Sequence, residues 1–379
     1  MSNIVICGDI LPTEINMQEF ESGSTDHILS DQLWKLLNGA DYRIANLEGC
    51  FLDGGKPIIK SGPNLKASQK AFIGFKQLGF DMVGLANNHI MDYGTEGLST
   101  TLALLEEANI GWCGAGKSIS DAYKAHIFKL GTKKVGVIAL AEYEFTIATE
   151  KRPGAACFDD LESPDFIAST KKETDYLVVL YHGGKEYYRY PTPYVQKRCR
   201  KLVDKGADLV ITQHSHCIGC KEDYHGGTIV YGQGNFLLTR GEDNDFRRTG
   251  LILQIDIEER AVGFQPVIVD GQGVRLTNEE ETSAVLSDFH ARSSQIQQDG
   301  FVEESYRAFA DEKLKGYQIQ SMGRVAAILE KFHALGNVQK LYDRQNMVNL
   351  LNTLRCEAHR DLYIQGLLNR LGLSDQYEP

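Results

Sequence analysis

Short apolar runs alternate with amphipathic stretches over the first 270 or so residues. IVIC (4–7), YRIAN (42–46), DMVGLA (81–86), IGWCGA (110–115), KVGVIALA (134–141), YLVVLYH (176–182), DLVITQH (208–214), TIVYG (228–232) and LILQIDI (251–257) read as strands. Between several of them, DHILSDQLWKLLNG, KASQKAFIGFKQLG, GLSTTLALLEEAN and VQKRCRKLVDKG carry helical spacing. Most of these close on the Gly expected just past a helix C-terminus. The alternation predicts an α/β architecture with largely parallel strands. From about residue 278 the texture turns acidic and helical, as in NEEETSAVLSDFHARSSQIQ and MVNLLNTLRCEAHRDLYIQGLLNRL, with few strand signals. The expected organisation is an α/β domain over 1–277 and a helical region over 278–379 that covers the site, forms a homo-oligomer or recognises a partner.

In parallel α/β sheets ligands gather beyond the carboxyl ends of the strands, so the residues that follow each apolar run are the candidates for chemistry. Asp9 follows IVIC-Gly8, Asn46 and Glu48 follow YRIA, and Asn88 and His89 follow DMVGLA. His182 follows YLVVLY, His214 and His216 follow DLVIT, and Asn235 follows TIVYGQG. Asp9, Glu48, Asn88, His182, His214 and His216 form a mixed oxygen and nitrogen set suited to first-row divalent metals such as Mn, Fe or Zn. The His214-Ser215-His216 turn brings two imidazoles close enough to serve one ion each in a pair about 3.5–4 Å apart, with Glu48 as the carboxylate between them. If Asn88 gives its amide oxygen to a metal, the adjacent His89 is left to protonate a leaving group as general acid. Asp92, three residues on, is placed either to orient the His89 imidazole or to cap the turn before Tyr93-Gly94. His126, His225, His290, His333 and His359 read as structural residues.

Composition narrows the partners. The chain has 379 residues, of which 42% are hydrophobic and 24% charged, an ordinary globular balance. A net charge of -11 excludes non-specific binding to nucleic acid or to an anionic membrane surface, while local basic residues can still hold an anionic small molecule or an acidic polymer. Candidate substrate contacts are Lys60, Glu186, Arg240 and Asn235, chosen from a neighbourhood that also holds Lys185, Arg189, Arg247 and Arg248. Tyr187, Tyr188 and Tyr190 wall the pocket or pack. The N-terminus MSNIVICGDILPTE has no signal-peptide pattern and no segment is apolar for long enough to span a bilayer, so a cytoplasmic chain with no membrane span is expected. Eight scattered Cys read as reduced thiols, and Cys217-Ile-Gly-Cys220, without a second pair, reads as structural.

The blocks CGDI (7–10), ANLEG (45–49), GLANNHIMDYG (84–94), YHGGKEYYRYPTPYVQ (181–196), KGADLVITQHSHCIG (205–219) and VYGQGNF (230–236) resemble, in this order, the poly-γ-glutamate capsule biosynthesis (CapA) family. Members of that family look like calcineurin-type metallophosphoesterases. The resemblance implies a four-layer α-β-β-α metallophosphoesterase-like sandwich over residues 1–277, with a helical C-terminal extension. It implies Asp9, Glu48, Asn88, His182, His214 and His216 as ligands of one or two divalent ions and His89 as the catalytic histidine. Asp9-Ile10-Leu11 stands where the superfamily pattern carries Asp-x-His, Gly183 where the family usually has Trp, and Gln213-His214-Ser215-His216 where it has His-His-Pro-His. The function implied is a metal-dependent hydrolase of a phosphoester or of an acidic polymer, with metal-bound hydroxide as nucleophile. The alternative is a non-catalytic capsule or polysaccharide assembly factor that binds metal and an anionic ligand.

Overall fold

The structure is a computed structural model that describes residues 3–239, 246–321 and 344–373. It divides into two compact units, residues 1–302 and 303–379. In chain order the strands of the first unit begin with β1 (Asn3–Ile10), β2 (Tyr42–Leu47), β3 (Cys50–Phe51), β4 (Lys66–Ala67), β5 (Met82–Gly84), β6 (Gly111–Cys113), β7 (Ala115–Gly116), β8 (His126–Leu130) and β9 (Lys133–Ala141). They continue with β10 (Gly154–Ala155), β11 (Tyr176–His182), β12 (Leu209–Gln213), β13 (Ile218–Tyr224), β14 (Gly227–Gln233), β15 (Asn235–Leu237), β16 (Thr249–Asp256), β17 (Ala261–Asp270) and β18 (Gly273–Leu276).

Two large sheets result, ordered β18-β17-β16-β1-β2-β5-β6, with β15 also on β1, and β13-β14-β12-β11-β9-β8. Their centres are parallel, as the βα alternation requires: β1, β2, β5 and β6 in one sheet, and β9, β11, β12 and β14 in the other. The β18 edge of the first sheet and both edges of the second are antiparallel, because β16–β18 form a meander through short turns while β8 and β13 are hairpin partners of β9 and β14. β8, β13, β17 and β18 escape the hydrophobic pattern. As edge or near-edge strands they bury few or scattered positions, and β17 also contains Pro266.

Alternation along the central strands shows how the layers form. Val135, Val137 and Ala139 of β9 and Val178 and Leu180 of β11 join the cluster that contains Ile4, Ile6 and Ile44 of the opposing sheet. Ile138, Leu140, Leu177, Val179 and Tyr181 point the other way, onto Val195, Cys199 and Leu202 of the helix Pro193–Asp204. The sheets therefore pack face to face with helices outside, the period-2 side-chain rule applied to strands buried on both faces. The helices start where the sequence supplies caps: Ser30 accepts from Leu33 N–H and Thr192 from Val195 N–H.

The expected boundary at 277/278 falls where β18 gives way to the helix Glu279–Gln295, capped by a reciprocal Asn278–Glu281 box. The first unit runs on through that helix, since Phe289 is buried against Phe264 of β17 and Arg292 Nε donates to the Gly219 carbonyl at 2.7 Å. Phe289→Ala should lower the unfolding free energy by about 3 kcal/mol, measurable by chemical denaturation. In the second unit the helices Arg344–Arg355 and Glu357–Leu371 expose Leu350, Leu351, Leu354, Leu362 and Leu367. No helix among the described residues is long and apolar enough to cross a membrane.

Candidate metal centre

Register sets the site. Asp9 of β1 pairs with Asn46 of β2 and Asn235 of β15, while His182 of β11 pairs with Gln213 at the end of β12. The carboxyl ends of both sheets therefore deliver their polar residues to one place. Gly8 lets β1 come close to the 233–236 turn, since a Cβ there would lie 2.1 Å from the Gly234 carbonyl oxygen. His214 and His216 have φ of 81° and 53°, left-handed values unusual for side chains with a Cβ. That turn costs on the order of 1 kcal/mol per residue and aims both imidazoles inward, an expense characteristic of functional sites.

Glu48 lies at the centre. Its carboxylate is fully buried and, among the described residues, neither oxygen has a hydrogen-bond partner. Oε1 lies 3.8 Å from Nε2 of each of His89, His182 and His216. Burial first, then the neighbouring Asp9, pushes the Glu48 pKa well above 4.5. Two groups of potential ligands share this carboxylate, Glu48 with His182 and His214, and Glu48 with Asp9 and His216. The surrounding contacts fix the donors: Asn46 Nδ2 donates to Asp9 Oδ1 at 2.7 Å and rests 3.2 Å from His182 Nδ1. His182 Nε2 lies 3.1 Å from Asn88 Oδ1 and 3.2 Å from His214 Nδ1, and His216 Nδ1 lies 2.9 Å from Asn235 Oδ1. For Asp9, burial opposes ionisation, but contact with His216 and the field of His182 outweigh it and bring its pKa to about 2. His214 is held down at about 4, by burial and then by His216.

Such a donor set fits divalent cations. A buried carboxylate without hydrogen bonds, facing three imidazoles, is unfavourable until a cation satisfies it. The oxygen and nitrogen donors are those of Mn, Fe or Zn sites.

His89 stands beside this cluster with its Nδ1 2.6 Å from Asp92 Oδ2 and its backbone N–H donating to Asn87 Oδ1 at 3.1 Å. Burial lowers its pKa, and the Asp92 contact opposes that. Asp92 also accepts from Leu65 N–H at 2.6 Å, so its carboxylate is anchored from two sides.

The expected substrate contacts divide. Asn235 is buried against His216, and Glu186 lies near enough to His214 and His216 for their charge to hold its pKa down against burial. Lys60, expected to reach a substrate anion, turns its ammonium into the protein beneath the Asn88–Asp92 turn, because a buried carboxylate there outcompetes solvent. Arg240 lies outside the described residues. From the same basic stretch Arg247 does stand at the site: its Nε donates to the Tyr187 hydroxyl at 2.7 Å, and its charge lowers the pKa of Glu48 and Glu186. The Tyr187 ring lies 6.3 Å from that of His216, so Tyr187 walls the site. Sequence reasoning had no signal to rank Arg247 over its neighbours, because their order at the site is set by a turn. At Gly183 a Cβ would come within 2.5 Å of Glu142 Cγ, so Glu142 fills space beside the His182 strand end. His126 is structural, its Nε2 2.8 Å from the Tyr42 hydroxyl.

Residues 3–240 match the family described as bacterial capsule synthesis protein PGA_cap. The "PGA biosynthesis protein CapA" of Bacillus subtilis (strain 168) is 30% identical over 215 residues, 55% of this chain and 55% of that one. The "Capsule biosynthesis protein CapA" of Bacillus anthracis is 28% identical over 256 residues, 63% of this chain and 60% of that one. The chain thus spans little more than half the length of these relatives. Among solved structures, a 5'-nucleotidase from Candida albicans SC5314 superposes with a TM-score of 0.41 at 11% identity, over 82% of this chain and 58% of that one.

Proposed function

Because the chain belongs to the bacterial capsule synthesis protein PGA_cap family, we propose that it is a metal-dependent hydrolase of an anionic substrate, either a phosphoester or an amide link of an acidic polymer. Glu48 carries the proposal: a buried carboxylate with no hydrogen bond, set 3.8 Å from three imidazole nitrogens, is a ligand in need of a cation. Asp9, Glu48 and His216 would hold one ion and Glu48, His182 and His214 another, with the Asn88 amide oxygen alongside. A bound divalent ion supplies Lewis-acid polarisation of the scissile group and a water of lowered pKa. His89 presents Nε2 towards Glu48 and gives a proton to the leaving group, while Asp92 keeps the ring oriented through Nδ1. Arg247, held by Tyr187, offers a guanidinium to the substrate's anionic oxygens.

Elemental mass spectrometry on the wild type and His214→Ala tests this reading. Near-stoichiometric Mn, Fe or Zn that falls in the variant is expected, and metal absent from both after refeeding would overturn it. Hydrolysis of aryl phosphates set against release of glutamate from poly-γ-glutamate then separates the two substrate classes.

A further inference from the structure

The segment 58–65 lies along the Asn88–Asp92 turn. Ile58 N–H donates to the Asp92 carbonyl at 2.9 Å, and the Asn64 side-chain amide donates to the same carbonyl at 3.1 Å. Within this segment the Lys60 side chain is only 2% exposed. Its ammonium contacts Asn88 O at 3.1 Å and Asp92 Oδ1 at 2.5 Å, and it lies 3.1 Å from His89 Nδ1.

An ammonium only donates and an ionised carboxylate only accepts, so His89 Nδ1 cannot satisfy both neighbours. As a donor, Nδ1 serves Asp92 Oδ2 at 2.6 Å and leaves Lys60 hydrogen-bonded to the Asn88 carbonyl and ion-paired with Asp92 Oδ1. As an acceptor from Lys60, it would set a bare lone pair against Oδ2 at that same short distance. The first arrangement sets no lone pair against the Asp92 carboxylate and keeps the ammonium beside both the Asn88 carbonyl and Asp92 Oδ1. It leaves His89 Nε2 facing Glu48. Without the ammonium, Asp92 would be a fully buried charge with no counter-ion among the contacts described, and the Asn88 carbonyl would lose its lysine donor.

We propose that Lys60 is a positioning residue: a buried cation that pins Asp92 and the Asn88 carbonyl, so that the His89 Nδ1–H stays on Asp92 and Nε2, which must carry a second proton when His89 acts as the acid, faces the site. The proposal deepens the reading of His89 as the proton donor of a hydrolase, but its test does not depend on turnover.

Nitrogen-15 and proton NMR of the full-length, histidine-labelled protein without substrate gives the primary readout. The wild type should show a far-downfield Nδ1–H resonance that disappears in His89→Gln. Lys60→Met should lose or shift it, with metal content retained, and Lys60→Arg should restore it. On a turned-over substrate, Lys60→Met should lower kcat by about 10²-fold with KM unchanged, the loss that follows from a small misplacement of a reacting group. If Lys60→Met does not fold, Lys60→Gln, which keeps a donor for the carbonyl but no charge, is read the same way. An Nδ1–H signal unaltered by these substitutions overturns the proposal whatever the activity, and a raised KM with that signal intact reassigns Lys60 to substrate contact. Failure of the wild type to hydrolyse either substrate class would sink the hydrolase reading alone.

Discussion

Glu48→Gln is expected to release the bound cations and at the same time to make the cation-free protein more stable. Both effects follow from one carboxylate. Glu48 is shared by the two candidate ligand groups, so its loss removes the bridge from each, whereas loss of His214 or His216 touches one group. Turnover should fall by about 10²–10³-fold, the scale for removing a preorganised electrostatic contact in a buried site. In chelator the order of stability reverses. The wild-type carboxyl is buried without a hydrogen bond and its pKa is raised, by burial and then by Asp9. Below the ordinary value of 4.5 both folded and unfolded states carry the proton and nothing is lost. As pH rises above that value the unfolded chain releases the proton while the folded one keeps it, so wild-type stability declines with pH. The neutral glutamine has no such slope and can donate its N–H to a neighbouring imidazole nitrogen. Chemical denaturation at pH 8 with chelator should favour the variant by about 1–3 kcal/mol, the cost of an unmatched buried polar group. Added Mn should restore the wild type's advantage through binding to the folded state. Equal metal content in the two proteins would remove Glu48 from the centre of the site.

His89→Gln should lower kcat by about 10²–10⁴-fold, the contribution of a positioned proton donor, while leaving metal content unchanged. The reason for the separation is geometric. His89 Nε2 lies 3.8 Å from Glu48 Oε1 but its Nδ1 is occupied by Asp92, and the ring belongs to neither ligand group. His126→Gln provides the control, because that imidazole also sits in a packed environment, beside Tyr42 and Phe128, far from the chemistry. Turnover in His126→Gln should match the wild type. A His89 variant that keeps full turnover would exclude a proton-transfer role, and one that loses metal would place the ring in the coordination sphere.

The sequence alone determined the fold class and most of the candidate site. Strands buried on both faces read as continuous apolar runs, and the polar residues that break those runs at their carboxyl ends stand out against them, which is why Asp9, Glu48, Asn88, His89, His182, His214 and His216 were visible as a set. Their meeting in one place needs the parallel register within each sheet and the face-to-face packing that brings the two sets of strand ends together. Edge strands carry a weaker signal: β8 buries a single position and β13 mixes buried apolar with charged residues, and their place depends on the strand beside them. Only the tertiary structure decided that Glu48 has no hydrogen-bond partner among the described residues, that Lys60 points inward rather than to solvent, and that Arg247 reaches the site. Each of these depends on where a long or charged side chain ends after the backbone has turned, and several rotatable bonds separate that end from the Cα whose position the pattern fixes. The same holds for the helix Glu279–Gln295, whose acidic composition suggested a separate region until Phe289 and Arg292 showed it bound to the sheet. Periodicity says which side of an element is apolar, whereas packing chooses what that side meets.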